Sequence, residues 1–261
     1  MEQYLQQVKN HWNQTSDSEW YRSLRTEEQL AALTRHPETA FHPEVFRLLC
    51  KHLEGFDGKK VLLPSSGDNH AAFALALLGA EVTSADLSER QLENAQIVAE
   101  QIGVKIRFIC EDTMQLTKIE SSAYDLVYTS NGTHSWITDL PGMYRQICRV
   151  LKPSGYSVMY DVHPFHRPFT DEVWKEPKIK KSYFDGAAEL HWPMQDLINA
   201  MISAGLEIRE MAELQAADAS FWFKYHELIH QPDGILDIAN DWKQNPMAAL
   251  PAWLTVIARK S

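Results

Sequence analysis

The stretch from residue 60 to residue 94, KVLLPSSGDNHAAFALALLGAEVTSADLSERQLEN, decides how the rest of the chain is read. Val61, Leu62 and Leu63 are a short apolar run of the buried-strand kind. The turn Pro64-Ser65-Ser66-Gly67-Asp68-Asn69 follows at once. A helix is predicted from about His70 to Leu78, with Asp68 or Asn69 able to cap its start and Gly79 placed to stop it. Val82 to Ala85 is a second apolar strand, ending at Asp86. Ser88 to Gln91 spells Ser-x-x-Gln, a capping box that starts a second helix. Strand, glycine-bearing turn, helix, strand and acid, in that order, make a nucleoside-binding arrangement in which the acid accepts hydrogen bonds from ribose hydroxyls.

The composition narrows the field. At 261 residues the chain can bury a large core as one domain with embellishments. A formal net charge of −10 argues against a protein that tracks nucleic-acid phosphates, because that work needs a basic face. Lys175, Lys178, Lys180 and Lys181 form a local basic run, read as a solvated loop. Cys50, Cys110 and Cys148 are far apart, odd in number and without a Cys-x-x-Cys pair, so neither a zinc site nor a disulfide framework is expected. His163 and His166 have no acid or thiol at ligand spacing, and no metal is expected. The amino terminus is polar, and the longest apolar run, Ala71 to Ala80, is shorter than the roughly 20 residues a bilayer crossing takes. The expectation is a soluble cytoplasmic protein with no membrane partner.

Outward from the opening stretch, residues 1–55 read as a helical amino-terminal cap carrying Trp12, Trp20 and Tyr21. These aromatics suit either an anchor to the core or a lid. His36-Pro37 and His42-Pro43 bracket a turn. After the second helix, Gly103 provides a stop, and Lys105 to Cys110 is a third strand ending in Glu111-Asp112-Thr113-Met114. Tyr124 to Thr129 is a fourth strand, followed by the loop Ser130-Asn131-Gly132-Thr133-His134-Ser135-Trp136. Ligands of open parallel sheets bind beyond the carboxyl ends of strands, which makes this loop a prime site location. A helix over about Leu140–Leu151 leads through Lys152-Pro153-Ser154-Gly155 into a fifth strand, Tyr156 to Val162. Residues 163–193 and 215–251 are aromatic-rich insertions around a helix, Met194–Ala204, and a sixth strand, Leu206–Leu214. Trp253 to Ala258 is the last strand.

Together these stretches resemble class I S-adenosylmethionine-dependent methyltransferases of the small-molecule type. The Leu-Lys-Pro-Ser-Gly run closely resembles that family's Leu-Lys-Pro-Gly-Gly signature, at the expected distance from the opening unit. The first turn is a variant: of three family glycines only Gly67 remains, with Ser65 and Asn69 at the outer positions and Leu63 where an acid is usual. The resemblance covers residues 56–162 well and 191–258 loosely. It implies an α/β Rossmann-like, doubly wound sheet of seven strands in order 3-2-1-4-5-7-6, the last antiparallel, with residues 1–261 as one domain.

The resemblance also assigns roles. S-adenosyl-L-methionine is the implied cofactor and a small molecule the implied acceptor. Asp86 would bind the ribose; Leu87, Asp112, Thr113 and Met114 the adenine; Ser65, Gly67 and Asn69 the methionine part, with Gln91 and Ser130 completing the cofactor set. A general base is needed only if the acceptor arrives protonated, and histidine is then the expected type. Position at the strand ends selects His134 and His163, then His191, with His42 if the cap closes over the site. For each, a structural role is the stronger expectation. Two other readings stand beside this one. A methyltransferase-like protein without catalysis could act as a binding module. The two insertions could, in either case, be core extensions or a homodimer contact. A dinucleotide-dependent oxidoreductase fits less well, because a pyrophosphate calls for a Gly-x-Gly-x-x-Gly turn.

Overall fold

Val61 and Leu63 enter one hydrophobic core and Leu62 enters the other, the period-two pattern of a strand covered on both faces. A computed structural model describes residues 2–170, 177–185 and 190–261, so Lys175 of the basic run lies outside the described residues. The helical cap comprises α1 (Glu2–Thr15), α2 (Glu19–Leu24), α3 (Glu27–Arg35) and α4 (Pro43–Leu53), with a 3-10 turn at Pro37–Ala40 between the last two. The core follows as β1 (Lys60–Pro64), α5 (His70–Leu77), β2 (Glu81–Asp86), α6 (Glu89–Ile102), β3 (Ile106–Cys110), β4 (Tyr124–Thr129), α7 (Leu140–Val150) and β5 (Leu151–Val162). After the first insertion come α8 (Met194–Ser203) and β6 (Leu206–Leu214). The second insertion holds α9 (Tyr225–Leu228) and α10 (Ile235–Asn240) before β7 (Trp253–Lys260).

The seven strands form one sheet in the order β3-β2-β1-β4-β5-β7-β6, and β7 runs antiparallel to both neighbours. This is the Rossmann-like order that the family resemblance implies. Cap and core helices α3, α4, α5 and α6 bury Leu33, Leu48, Phe73 and Val98 on one face. The other face is covered by α7 and α8, through Met143, Ile147, Leu197 and Met201.

Local chemistry explains the boundaries. Asn69, not Asp68, caps α5: its side-chain oxygen accepts from Ala71 N at 2.8 Å. Ser88 caps α6 by accepting from Gln91 N at 3.1 Å, and Gly103 ends it in the left-handed region. The expected capping box is therefore half formed, because the Gln91 side chain does not return to Ser88 but lies over Gly67.

The fifth strand begins earlier than the sequence suggests. Leu151 already pairs with Tyr124; the register then shifts, and pairing resumes at Tyr156 opposite Leu126. Lys152-Pro153-Ser154-Gly155 is thus a bulge inside β5 rather than a turn before it, with Ser154 at φ +67°. A Cβ on Gly155 would stand 3.0 Å from the carbonyl oxygens of Lys152 and Tyr124 and 3.2 Å from that of Asp125. Those neighbours are strand backbone and have little room to yield. Gly155→Ala is expected to destabilise the protein by about 1–3 kcal/mol, measurable as a lower denaturation midpoint at unchanged slope.

Candidate active site

Strand β1 pairs with β2 on one side and β4 on the other, so the winding of the sheet reverses beside it. A crevice opens at such a reversal, beyond the carboxyl ends of the strands. Here it is a cavity of about 350 Å³, walled by the first turn, the ends of β2 and β3 and the loop after β4. The cap roofs it with Leu5, Val8 and Trp12 of α1 and Trp20, Tyr21 and Leu24 of α2. The roof is tied down at its edges. Asn13 Oδ1 accepts from Ser88 Oγ at 2.7 Å, Asp17 pairs with Arg90 at 2.9 Å, and His11 and Trp12 pack on Trp136 at 5.0 and 5.4 Å between ring centroids.

Of the ten residues that the sequence assigns to cofactor binding, Ser65, Asn69, Asp86, Leu87, Gln91, Asp112, Thr113, Met114 and Ser130 line this cavity. Gly67 lies just behind them, its N–H donating to Asp86 Oδ2 at 2.8 Å. Ser65 holds a left-handed φ of +51°, the conformation a glycine adopts most easily, and its hydroxyl bonds Thr113 Oγ1 at 2.7 Å across the crevice. Asn69 has an ordinary φ of −64°, so that position has no need of a glycine; its amide nitrogen reaches Ser130 Oγ at 2.7 Å. Both outer substitutions therefore use their side chains to bind the cavity walls to each other.

Three carboxylates face the cavity, and no lysine or arginine is among the residues lining it. Asp86 accepts from Gly67 N and from Ser88 N, each at 2.8 Å, yet burial still pushes it up to about 6. Burial likewise pushes Asp68 up to about 6, against the pull of Arg25. Burial also raises Asp112, whose Oδ1 accepts from Met114 N at 2.9 Å. The Tyr21 phenol, pushed up to about 12 by burial and by the nearby Asp68 charge, stays neutral. An apolar, partly aromatic roof over a carboxylate floor suits a ligand with positive charge and exposed donors.

Residues 62–159 match the family described as the methyltransferase domain. The chain is similar to a ubiquinone biosynthesis O-methyltransferase of Idiomarina loihiensis, 31% identical over 104 residues, covering 40% of this chain and 42% of that one. It is also similar to a sterol 24-C-methyltransferase of Pneumocystis carinii, 27% identical over 183 residues, covering 65% of this chain and 45% of that one. The matched stretches span less than half the length of each of these relatives. Among solved structures, geranyl diphosphate C-methyltransferase from Streptomyces coelicolor A3(2), in complex with Mg2+, geranyl diphosphate and S-adenosyl-L-homocysteine, is similar with a TM-score of 0.62 at 16% identity, over 99% of this chain and 98% of that one. At that identity the likeness is one of fold.

The fold does not bring the candidate histidines into this cavity. His134 is buried behind the wall, with Nδ1 2.7 Å from Asp161 Oδ2 and Nε2 2.9 Å from Tyr144 Oη. His163 is fully buried; its Nε2 lies 3.0 Å from Glu213 Oε1, and its Nδ1 accepts from Phe165 N at 3.2 Å. His42 caps α4 by accepting from Glu44 N, and His191 bonds the Tyr183 carbonyl. All four have defined structural partners and stand outside the lining. What sequence reasoning missed is Asp68, treated only as a possible cap, and the way Tyr21, Trp12 and Trp136 converge. The acid beside Gly67 was a signal for the first; the convergence depends on tertiary packing.

Asp161, also unforeseen, fixes the loop that forms one wall of the cavity. Its Oδ1 accepts from Gly132 N at 2.9 Å and from Arg167 at 3.3 Å, and its Oδ2 from His134 N at 3.2 Å. Burial would raise this carboxyl, but the His134 bond and charge, the Arg167 charge and the Gly132 N–H together hold it below the usual range. Its stabilisation is full above the ordinary value of about 3.9 and is lost as pH falls through the lower folded value. Asp161→Ala leaves buried donors unpaired and is expected to cost about 3–5 kcal/mol, read by chemical denaturation near neutral pH. Asp161→Asn should remove part of the wild-type stability loss seen on acidification.

Proposed function

We propose that this protein transfers a methyl group from S-adenosylmethionine to a small-molecule acceptor. The observation that carries the reading is the switch-point cavity itself, with its carboxylate floor and aromatic roof, within a methyltransferase domain. The cofactor, when bound, supplies a methyl group already activated by a sulfonium. The residues of this chain then bind, orient and exclude water. In this reading Asp112, Thr113, Met114 and Leu87 hold the adenine, and Asp86 accepts from the ribose hydroxyls. Ser65, Gly67, Asn69, Gln91 and Ser130 border the rest of the cofactor. Gln91 Nε2 is buried without a hydrogen-bond partner, a donor available to such a ligand. Trp12, Tyr21 and Trp136 offer faces to a cation. Rate enhancement comes mainly from holding the acceptor in line with the sulfur–methyl bond, a term worth about 7–11 kcal/mol in favourable cases. In this reading His134 acts through the β4 loop that it helps fix, and His163 has a structural role.

The small-molecule acceptor is supported by the roofing of the cavity by α1 and α2 and by similar proteins named for ubiquinone, sterol and geranyl diphosphate methylation. A net charge of −10 supports the absence of a nucleic-acid partner. Among the described residues no helix is long and apolar enough to cross a membrane. The single-domain organisation, cytoplasmic location and possible homodimer belong to the same proposal; sedimentation of the purified chain tests the last.

Replacement of the outer glycines by Ser65 and Asn69 favours, as a second reading, a domain that binds without transferring. A labelled-methyl assay against a metabolite extract separates the two: labelled product supports transfer, and cofactor binding without product supports the binding module. Absence of S-adenosylmethionine binding in a calorimetric titration would sink both. Asp86→Ala is expected to weaken cofactor binding far more than His134→Ala; the reverse order means that the pocket is elsewhere. Binding that needs an ionised Asp86 should be full above pH about 6 and fall off below it. The same raised value works against the unliganded fold as pH rises from about 3.9 towards 6. Affinity measured between pH 5 and 8 therefore rises while apo stability stays flat or declines.

A further inference from the structure

Among the described residues that line the cavity, His70 is the one histidine. It opens α5, directly after the Asn69 cap, and is half-buried. Its Nε2 lies 3.0 Å from the carbonyl oxygen of Leu24, at the end of α2. A carbonyl only accepts, so Nε2 carries the proton and Nδ1 keeps its lone pair. Among the described residues none donates to Nδ1. Burial lowers the pKa of the ring against the opposing pull of the Leu24 bond, so the imidazole is neutral at neutral pH. The anchored Nε2 and the Phe73 ring, 6.3 Å away between centroids, hold the imidazole in place.

The surroundings of His70 separate it from the cofactor. The residues assigned to the cofactor run from the end of β3, at Asp112 and Met114, past Asp86 at the end of β2 to the turn after β1. His70 lies past that turn, with Leu24, Thr39 and Ala40 of the cap, where the Pro37–Ala40 turn packs on α5. None of these four belongs to the proposed cofactor set. We propose that His70 Nδ1 is the general base for a hydroxyl acceptor, and so a catalytic residue of the transfer. The assignment rests on the function proposed above. As the acceptor oxygen attacks, its lone pair forms the bond to the methyl carbon, the sulfur–methyl pair stays with sulfur, and the hydroxyl proton passes to Nδ1. The imidazolium then returns the proton to solvent. The Leu24 carbonyl, facing Nε2–H, stabilises that cation as it forms. A hydroxyl suits such a base because it keeps a lone pair for attack while its proton is still held. An ammonium acceptor must lose its proton completely first, and an imidazole weakened by burial is poor at that.

The test uses the full chain, with S-adenosylhomocysteine as the binding probe and labelled S-adenosylmethionine plus a metabolite extract for transfer. A glutamine amide can donate to the Leu24 carbonyl as Nε2–H does but offers no base, so His70→Gln keeps the anchor and removes the chemistry. His70→Gln is expected to bind S-adenosylhomocysteine as the wild type does, which also shows that it is folded, while labelled product falls about a hundredfold or more. The label should sit on oxygen. Transfer by the variant close to the wild-type rate, loss of S-adenosylhomocysteine binding by a folded variant, or label on nitrogen, carbon or sulfur overturns the assignment. Nitrogen NMR of the wild-type ring gives a readout independent of activity: Nε2 protonated and Nδ1 bare at neutral pH is expected, and a protonated Nδ1 overturns it. Wild-type protein that forms no labelled product overturns the proposed transfer itself, a result distinct from a wild type that transfers and a variant that transfers equally.

Discussion

Asp86 is where the two halves of the opening unit are joined. Its carboxylate takes the Gly67 N–H from the first turn and the Ser88 N–H from the start of α6, so one side chain sets the distance between the β1 and β2 loops. Everything around the cavity is placed relative to that bridge. Gln91, one turn into α6, folds back over Gly67 so closely that a Cβ there would stand 1.5 Å from its side-chain oxygen. The middle glycine persists because a neighbouring side chain occupies the space, and because its φ of +50° is left-handed. Ser65 adopts the same left-handed backbone at φ +51° despite its Cβ, a strain of order 1–3 kcal/mol that its bond to Thr113 helps offset.

The part of this architecture that follows period and punctuation was legible in the sequence. The Val61–Leu63 run, the caps at Asn69 and Ser88 and the stop at Gly103 all reappear in the structure, and the strand order, which period does not encode, is the one the family resemblance implies. The places where the reading fell short share a cause: they depend on where a side chain points after packing. Ser-x-x-Gln predicts a reciprocal box, yet Gln91 finds a better contact over Gly67. Strand-end position marked His134 as a catalytic candidate, but the 3-10 turn at Thr133–Trp136 directs it away from the cavity, towards Asp161 and Tyr144. Asp68 was hidden for the opposite reason. A capping role was enough to explain it until Asn69 took that role and left its carboxylate facing the cavity.

The charge pattern of the cavity then gains a thermodynamic meaning. Two buried carboxylates with values near 6 are held in a place where their ionised forms are disfavoured. Such sites lower the stability of the empty protein near neutral pH, and a cationic, donor-rich ligand restores it. Local instability of this kind belongs at a binding site, where ligand free energy can offset it, rather than in the two cores.

The amino-terminal cap completes the argument, because the sheet alone cannot close the crevice. A first turn with three glycines brings backbone close to a ligand; here Ser65 and Asn69 side chains fill part of that space and bind to Thr113 and Ser130. Enclosure must therefore come from above. The cap supplies it with aromatic surface, and holds it there through contacts from two directions: Asn13 and Asp17 to the start of α6, and His11 and Trp12 to Trp136 in the loop after β4. That loop is in turn fixed by Asp161. Trp20 extends the roof by packing on Tyr225 of the second insertion, 5.8 Å between ring centroids. The cap and the β4 loop consequently meet around one ligand-sized space, and the second insertion braces the cap from outside through the Trp20–Tyr225 contact, an aromatic pair of the kind worth about 1 kcal/mol.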